Sequence, residues 1–214
     1  MPPSSLPKWR RQPHERPAQI LDAALDVFAE KGFHEARMDE IAESAGITKG
    51  TIYLYFESKE ELFLAMVRTG FAEWVDLLPQ MTFEPSQDLE ALGRNLGITF
   101  LEALENPRFV KLIPVVLGEL NHLPALKQIY REEIMPKANF HLAELLEFGM
   151  EHGVMKRLDA VAAARCLFGM YFGFILTQEV LGAKEITPMR RETIADTITT
   201  VYFRGILAEN GETR

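Results

Sequence analysis

Thr48, Lys49, Thr51, Tyr53 and Tyr55 fall within eight positions of one another, and no acidic side chain interrupts the stretch from Ile47 to Phe56. An ammonium group, two hydroxyls and two phenols are the donors that hold phosphate oxygens and base edges. Their spacing directs them outward. Ile52 and Phe56 lie four apart and can pack on Ile41 and Ala45, which leaves Lys49, Gly50, Thr51, Tyr53 and Tyr55 on the open side. Two tyrosines at i and i+2 cannot share one buried helix face. Catalytic chemistry is poorly represented by comparison. Cys166 sits in an apolar helical run with no histidine near it in sequence, and the five histidines (14, 34, 122, 141, 152) include no i, i+4 pair. No HExxH, P-loop or GxGxxG string occurs. The expectation is a non-enzyme with no metal and no cofactor.

The element that must position these donors runs from Met38 to Phe56, MDEIAESAGITKGTIYLYF. Two helices of about eight residues joined by a glycine-containing turn form a helix-turn-helix. Such a helix is about 12 Å long, close to the roughly 12 Å width of a B-DNA major groove. Periodicity alone fits two uses equally: DNA recognition, or a helical module that presents the same tyrosines to a partner protein. Salt separates them, because DNA binding falls steeply with salt and an apolar protein contact does not.

Charge permits DNA contact without demanding it. The 214 residues carry 23 Lys and Arg against 31 Asp and Glu, a net charge of −8. The whole molecule should therefore repel nucleic acid and anionic membranes, and any DNA contact must be a local patch. With 47% hydrophobic and 25% charged residues, the chain has the composition of a globular protein with its own core. The single Cys166 excludes an internal disulfide and fits a reducing compartment. The basic stretch from Met1 to Pro17 leads into no apolar segment of a secretory type. The longest strongly apolar uncharged run, Cys166 to Thr177, is 12 residues, against about 20 needed to span a bilayer. A cytoplasmic protein without a membrane partner is expected.

Along the chain, residues 1–17 read as a flexible basic arm, with Pro2, Pro3, Pro7, Pro13 and Arg10, Arg11 and Arg16. Beyond Pro17 the pattern is helical throughout, and the predicted fold class is all-α with about nine helices. Ile20, Ala24, Val27 and Phe28 mark a first helix that Gly32 ends. A second carries Met38, Ile41, Ala42 and Ala45 and stops at Gly46. Thr48 caps a third to about Phe56, and the Ser58-Lys59-Glu60-Glu61 capping box opens a fourth. Longer segments follow at Ser86–Glu105, Pro107–Asn121, Pro124–His152, Asp159–Gly182 and Pro188 to about Ala208, with breaks or bends expected at Pro114 and Pro136.

The strings ILDAALDVFAEKGF and IAESAGITKGTIYLYFESKEELF, between Ala18 and Met66, resemble the TetR family of one-component transcriptional regulators. The resemblance implies a ligand-responsive repressor that binds palindromic operator DNA as a homodimer and is released by a small, hydrophobic effector. It implies a three-helix DNA-binding domain over 18–64 and an effector-binding and dimerisation domain over 65–214. Carried over by position, Lys49, Gly50 and Thr51 approach bases and backbone, Tyr53 and Tyr55 hold phosphates, Lys59 adds a phosphate contact and Thr48 caps the recognition helix. One position departs from the family pattern: Arg37 stands where Ser or Thr usually caps the second helix. That loses a side-chain cap of about 1 kcal/mol. Arg37 then either contacts phosphate or lies solvated.

For the remaining two-thirds, the candidate effector residues are Phe100, Leu104, Phe109, Ile113, Val116, Leu120, Tyr130, Phe140 and Phe174, with Glu119, Asn121, His122 and His141 as polar partners for a head group. Nine methionines suit an adaptable apolar site. Gly169 and Gly173, four apart amid Tyr171 and Phe172, allow close helix approach, and Ile194, Ile198, Val201 and Tyr202 line a second face. Together they are the expected four-helix dimer interface. Plain core packing is the alternative use of the same residues.

Overall fold

The computed structural model describes residues 16–76 and 88–206, apart from the side chains of 73–76, 89 and 138–141. Residues 1–15 of the arm, Ser86 and the end of the last predicted helix lie outside that range. The chain divides into two compact units, Met1–Met66 and Val67–Arg214. Every regular element among the described residues is helical.

The first unit contains α1 (Arg16–Glu35), α2 (Met38–Ser44), α3 (Lys49–Ile52) and the start of α4 (Lys59–Asp76). Gly32 interrupts α1 as its position suggests, with φ 78°, but the chain makes a further turn to Glu35 before leaving the helix. That extra turn delivers Phe33 to the core. The Phe33 and Phe28 rings meet Phe63 of α4 with centroids 4.9 and 5.2 Å away. Such edge-on aromatic pairs add to the area they bury. Ile20, Ile41, Ile52 and Leu62 complete a fully buried centre. Gly46, at φ 65°, turns the chain between α2 and α3.

The second unit is built from α5 (Leu89–Leu104), α6 (Pro107–Glu119), α7 (Pro124–Ile129), α8 (Met135–Glu151), α9 (Ala160–Ile175) and α10 (Arg191–Ile206). Asp88, Asn106 and Asp159 cap α5, α6 and α9 by accepting backbone N–H bonds at 3.1, 2.9 and 2.8 Å. Helix α6 continues through Pro114 without a break. A π turn, Tyr130–Ile134, joins α7 to α8 in one helical rod, so the irregularity expected at Pro136 lies just before it. Pro136 itself lies in the first turn of α8, directly after the π turn, and has no N–H to give to the helical ladder there. A second π turn, Leu176–Val180, extends α9.

Helix α5 packs on α9 and α10 because Gly93 and Gly97 leave room. A methyl group at either position would overlap the Phe203 ring or the Tyr171 phenol. Ion pairs Arg94–Asp196 and Arg191–Glu105 close the α5–α10 seam from outside, the latter at 2.6 Å. Leu101, Leu104, Phe109, Ile113, Tyr171, Ile175, Ile194 and Ile198 form one buried cluster among α5, α6, α9 and α10.

The apolar stretch of α9 is longer than the sequence suggests. Helix and π turn together give Ala160–Val180, 21 residues containing an 18-residue window of mean hydropathy 1.6, long and apolar enough by length and composition to cross a membrane. Tyr171 and Ile175 of this helix are nevertheless buried against the other helices of the unit. A protein core helix passes the same length test.

Candidate nucleic-acid interface

Thr48 sets the start of the recognition element. Its Oγ1 accepts the Thr51 backbone N–H at 3.2 Å and lies 2.9 Å from the Thr51 hydroxyl. The α-helix itself covers only Lys49–Ile52. Turn hydrogen bonds, including the Phe56 N–H donating to the Ile52 carbonyl at 3.0 Å, carry the coil on to Phe56. Ile52 and Phe56 are buried, with Ile41 buried and Ala45 half-buried opposite them. Thr48, Lys49 and Gly50 are exposed, and Thr51 and Tyr55 are half-buried. Tyr53 is 43% exposed. Tyr53 therefore stands on the surface, while Tyr55, two residues on, is partly covered. Leu54 joins Tyr53 at 82% exposure. Apolar character gave no reason to single it out, but two residues beyond Ile52 a helical coil faces nearly the opposite way.

The charges around this surface are already engaged. Lys49 Nζ meets both Asp39 oxygens, at 2.9 and 3.1 Å, and that hydrogen bond holds the lysine above its ordinary pKa. Arg37 begins α2 without a side-chain cap. Glu40 serves instead, accepting the Arg37 backbone N–H at 3.1 Å and the Lys31 ammonium at 2.9 Å. These contacts keep Glu40 below the usual carboxylate range. The Arg37 side chain is exposed.

Lys59 differs from expectation. Its ammonium donates to the His34 and Ala36 carbonyls, each at 2.9 Å, and sits 4.7 Å from the Phe33 ring centroid. Two of its three donors thus tie α4 to the end of α1, where carbonyls lack helical partners. The residue expected to meet phosphate therefore also fastens α4 to the end of α1.

Candidate effector residues in the second unit separate into two sets. Leu104, Phe109 and Ile113 are core, and Glu119 is buried at 8% exposure. Phe100, Val116, Leu120 and Phe174 are half-buried; Tyr130, Asn121 and His122 are exposed. Phe140 and His141 have side chains outside the described set. The expected dimer face also needs correction. Tyr171, Ile194, Ile198 and Tyr202 pack inside the protomer, and Tyr202 donates to the Ala163 carbonyl at 3.0 Å, so a partner cannot reach them. Gly169 and Val201 remain exposed, Phe172 and Gly173 half-buried, and open space lies beside both glycines.

Comparison with known proteins follows this two-part layout. Residues 20–66 match the model for bacterial regulatory proteins of the tetR family. Residues 90–205 match that for the C-terminal domain of AefR-like transcriptional repressors. The fatty acid metabolism regulator protein of Bacillus subtilis is 28% identical over 160 residues, spanning 74% of this chain and 81% of that protein. The fold is that of a tetR-family transcriptional regulator from Mesorhizobium loti, at TM-score 0.74 and 21% identity over 93% of this chain and all of that one. It is also that of the fatty acid degradation regulator FadR from Bacillus halodurans, at TM-score 0.67 and 24% identity over 90% and 96%. With both units matched in order, the chain belongs to the TetR family of transcriptional regulators and is a ligand-responsive DNA-binding protein.

Proposed function

We propose that this protein is a cytoplasmic repressor that binds a palindromic operator as a homodimer and releases it when a fatty-acid-derived effector occupies the Val67–Arg214 unit. The single observation that carries the reading is the recognition element itself. Ile52 and Phe56 are spent on the core while Lys49, Gly50 and Tyr53 are exposed and Tyr55 is half-buried, with no acid in the segment from Ile47 to Phe56 and Asp39 of α2 holding the Lys49 ammonium. The effector class is supported by the names of the relatives, a fatty acid metabolism regulator and a fatty acid degradation regulator. Repression is supported by the description of the C-terminal match.

Dimerisation is supported by the outward side of α9. Gly169 and Gly173 are open there, with Val201 of α10 also exposed. In this reading a second copy covers that apolar side. Two recognition elements must then lie about 34–36 Å apart, or a multiple, to meet successive major grooves. An effector that favours another separation empties the operator. Driving the competent fraction from 99% to 1% takes about 5.5 kcal/mol of differential affinity.

The test is a gel shift on duplex DNA flanking the protein's own coding region, across a salt series, with and without dodecanoate. Specific binding with a steep salt dependence and release by the lipid is expected. A binding constant indifferent to salt removes the DNA reading.

A further inference from the structure

We propose that the groove between the Tyr130–Ile134 π turn and α9 is a head-group site for a lipophilic anion, with Arg131 and Arg165 as its anion-binding pair. The inference rests on the reading of this unit as the effector-binding one and adds where the effector's charge goes. The groove has a volume of about 510 Å³ and is lined by Tyr130, Arg131, Met135, Arg165 and Phe168. Cavities of roughly 300–1,000 Å³ hold small ligands.

Three observations define its chemistry. The first is uncompensated charge. Among the described residues neither guanidinium has a carboxylate partner, although the whole chain has a net charge of −8. The nearest acids in sequence are engaged elsewhere: Glu133 accepts from Arg68 Nε at 3.0 and 3.1 Å, and Glu132 accepts from Gln128 at 3.1 Å. Two like charges on one groove repel each other until an anion sits with them, and arginine's planar fork suits carboxylate or phosphate oxygens.

The second is the π turn, an interruption of α-helical geometry that is common at functional sites. Tyr130, Arg131 and Met135, three of the five lining residues, come from this turn and the residue after it. The third is the apolar side. Phe168 stacks on Phe172 at 5.7 Å and meets Phe100 at 6.1 Å, and Phe100 in turn meets Tyr171 at 5.3 Å. Phe168 therefore forms an apolar wall of the groove that is backed, through packed aromatic rings, by the cluster around Leu101 and Leu104. An amphiphile fits this order: anion on the arginines, apolar part along Phe168 and Met135.

Calorimetric titration of the full-length protein with dodecanoate, dodecanoyl-coenzyme A and 1-dodecanol tests the assignment. At least one of the two anions is expected to bind tenfold or more tightly than the alcohol. Dodecanoate in that role identifies a carboxylate head group; the thioester identifies phosphate. In R131Q/R165Q the anion preference disappears while alcohol binding is kept, and R131K/R165K restores most of it. Equal affinity for anion and alcohol in the wild-type protein, no binding of any of the three, or a preference that survives in R131Q/R165Q overturns the proposal. A charge-dependent titration with an operator complex indifferent to whichever of the two anions binds upholds the groove and defeats the effector reading instead.

Discussion

In the proposed reading Lys49 is the residue on which recognition turns, and its contact with Asp39 makes it a contested one. Any phosphate or guanine that takes the ammonium must displace a carboxylate that already holds it at 2.9 Å. The exposed pair contributes little to stability, but it stands in direct competition with the ligand. Lys49→Ala is expected to weaken operator binding by about 1–3 kcal/mol if the lysine reads a base. Asp39→Asn is expected to tighten binding to unrelated duplex several-fold, and to do nothing further in a Lys49→Ala background. An undiminished effect there would mean that Asp39 acts on DNA directly. Gly50 offers a second test. A Cβ at this position meets nothing nearer than the Thr48 hydroxyl at 4.0 Å. Alanine should therefore leave the fold intact or stabilise it, by up to about 1 kcal/mol. Loss of operator affinity with an unchanged or raised melting temperature would show that the free space belongs to DNA.

At the scale of elements, Lys59 shows how a charged residue in a recognised motif acquires a local duty. Lys59→Met keeps the stem over Phe33 and removes the donors to the His34 and Ala36 carbonyls. A loss of roughly 1–3 kcal/mol in denaturant unfolding is expected, with the salt dependence of DNA binding unchanged. Unchanged stability with a shallower salt slope would return Lys59 to the phosphate contacts. The helices themselves were largely legible: Gly32 and Gly46 punctuate where their positions imply, and Asn106-Pro107 opens α6. The prolines misled more. Pro114 sits inside α6 and is exposed, so the helix runs on past it. The disturbance near Pro136 takes the form of a π turn beginning six residues earlier. Hydrophobic spacing has no signature for one extra residue in a turn, because the same side chains still reach the core.

For the molecule as a whole, two buried phenols give folding an alkaline limit. Burial pushes Tyr202 and Tyr171 above the usual phenol pKa of about 10. A raised folded-state pKa contributes stability that is complete below the unfolded value and lost as pH climbs beyond it. Melting temperature is therefore expected to fall as pH rises past about 10, and less steeply in Tyr202→Phe. That variant should also lose about 1 kcal/mol at neutral pH with its bond to Ala163. A melting profile identical to wild type from pH 8 to 11 would place the tyrosine ionisation outside the folding equilibrium.

What the amino-acid order settled by itself was local: helix after helix, the caps, and which residues of the Thr48–Phe56 segment turn inward, since these follow from a period of 3.6 within one short segment. Partners far apart in sequence were decided only by the tertiary structure. Ile194, Ile198 and Tyr202 fit a partner's surface and the protomer's own core equally well, and the α5 glycines drew α9 and α10 inward, making them core. Arg131 and Arg165 became neighbours on one groove for the same reason. Periodicity says which way a side chain points from its own helix, and packing alone says what it meets there.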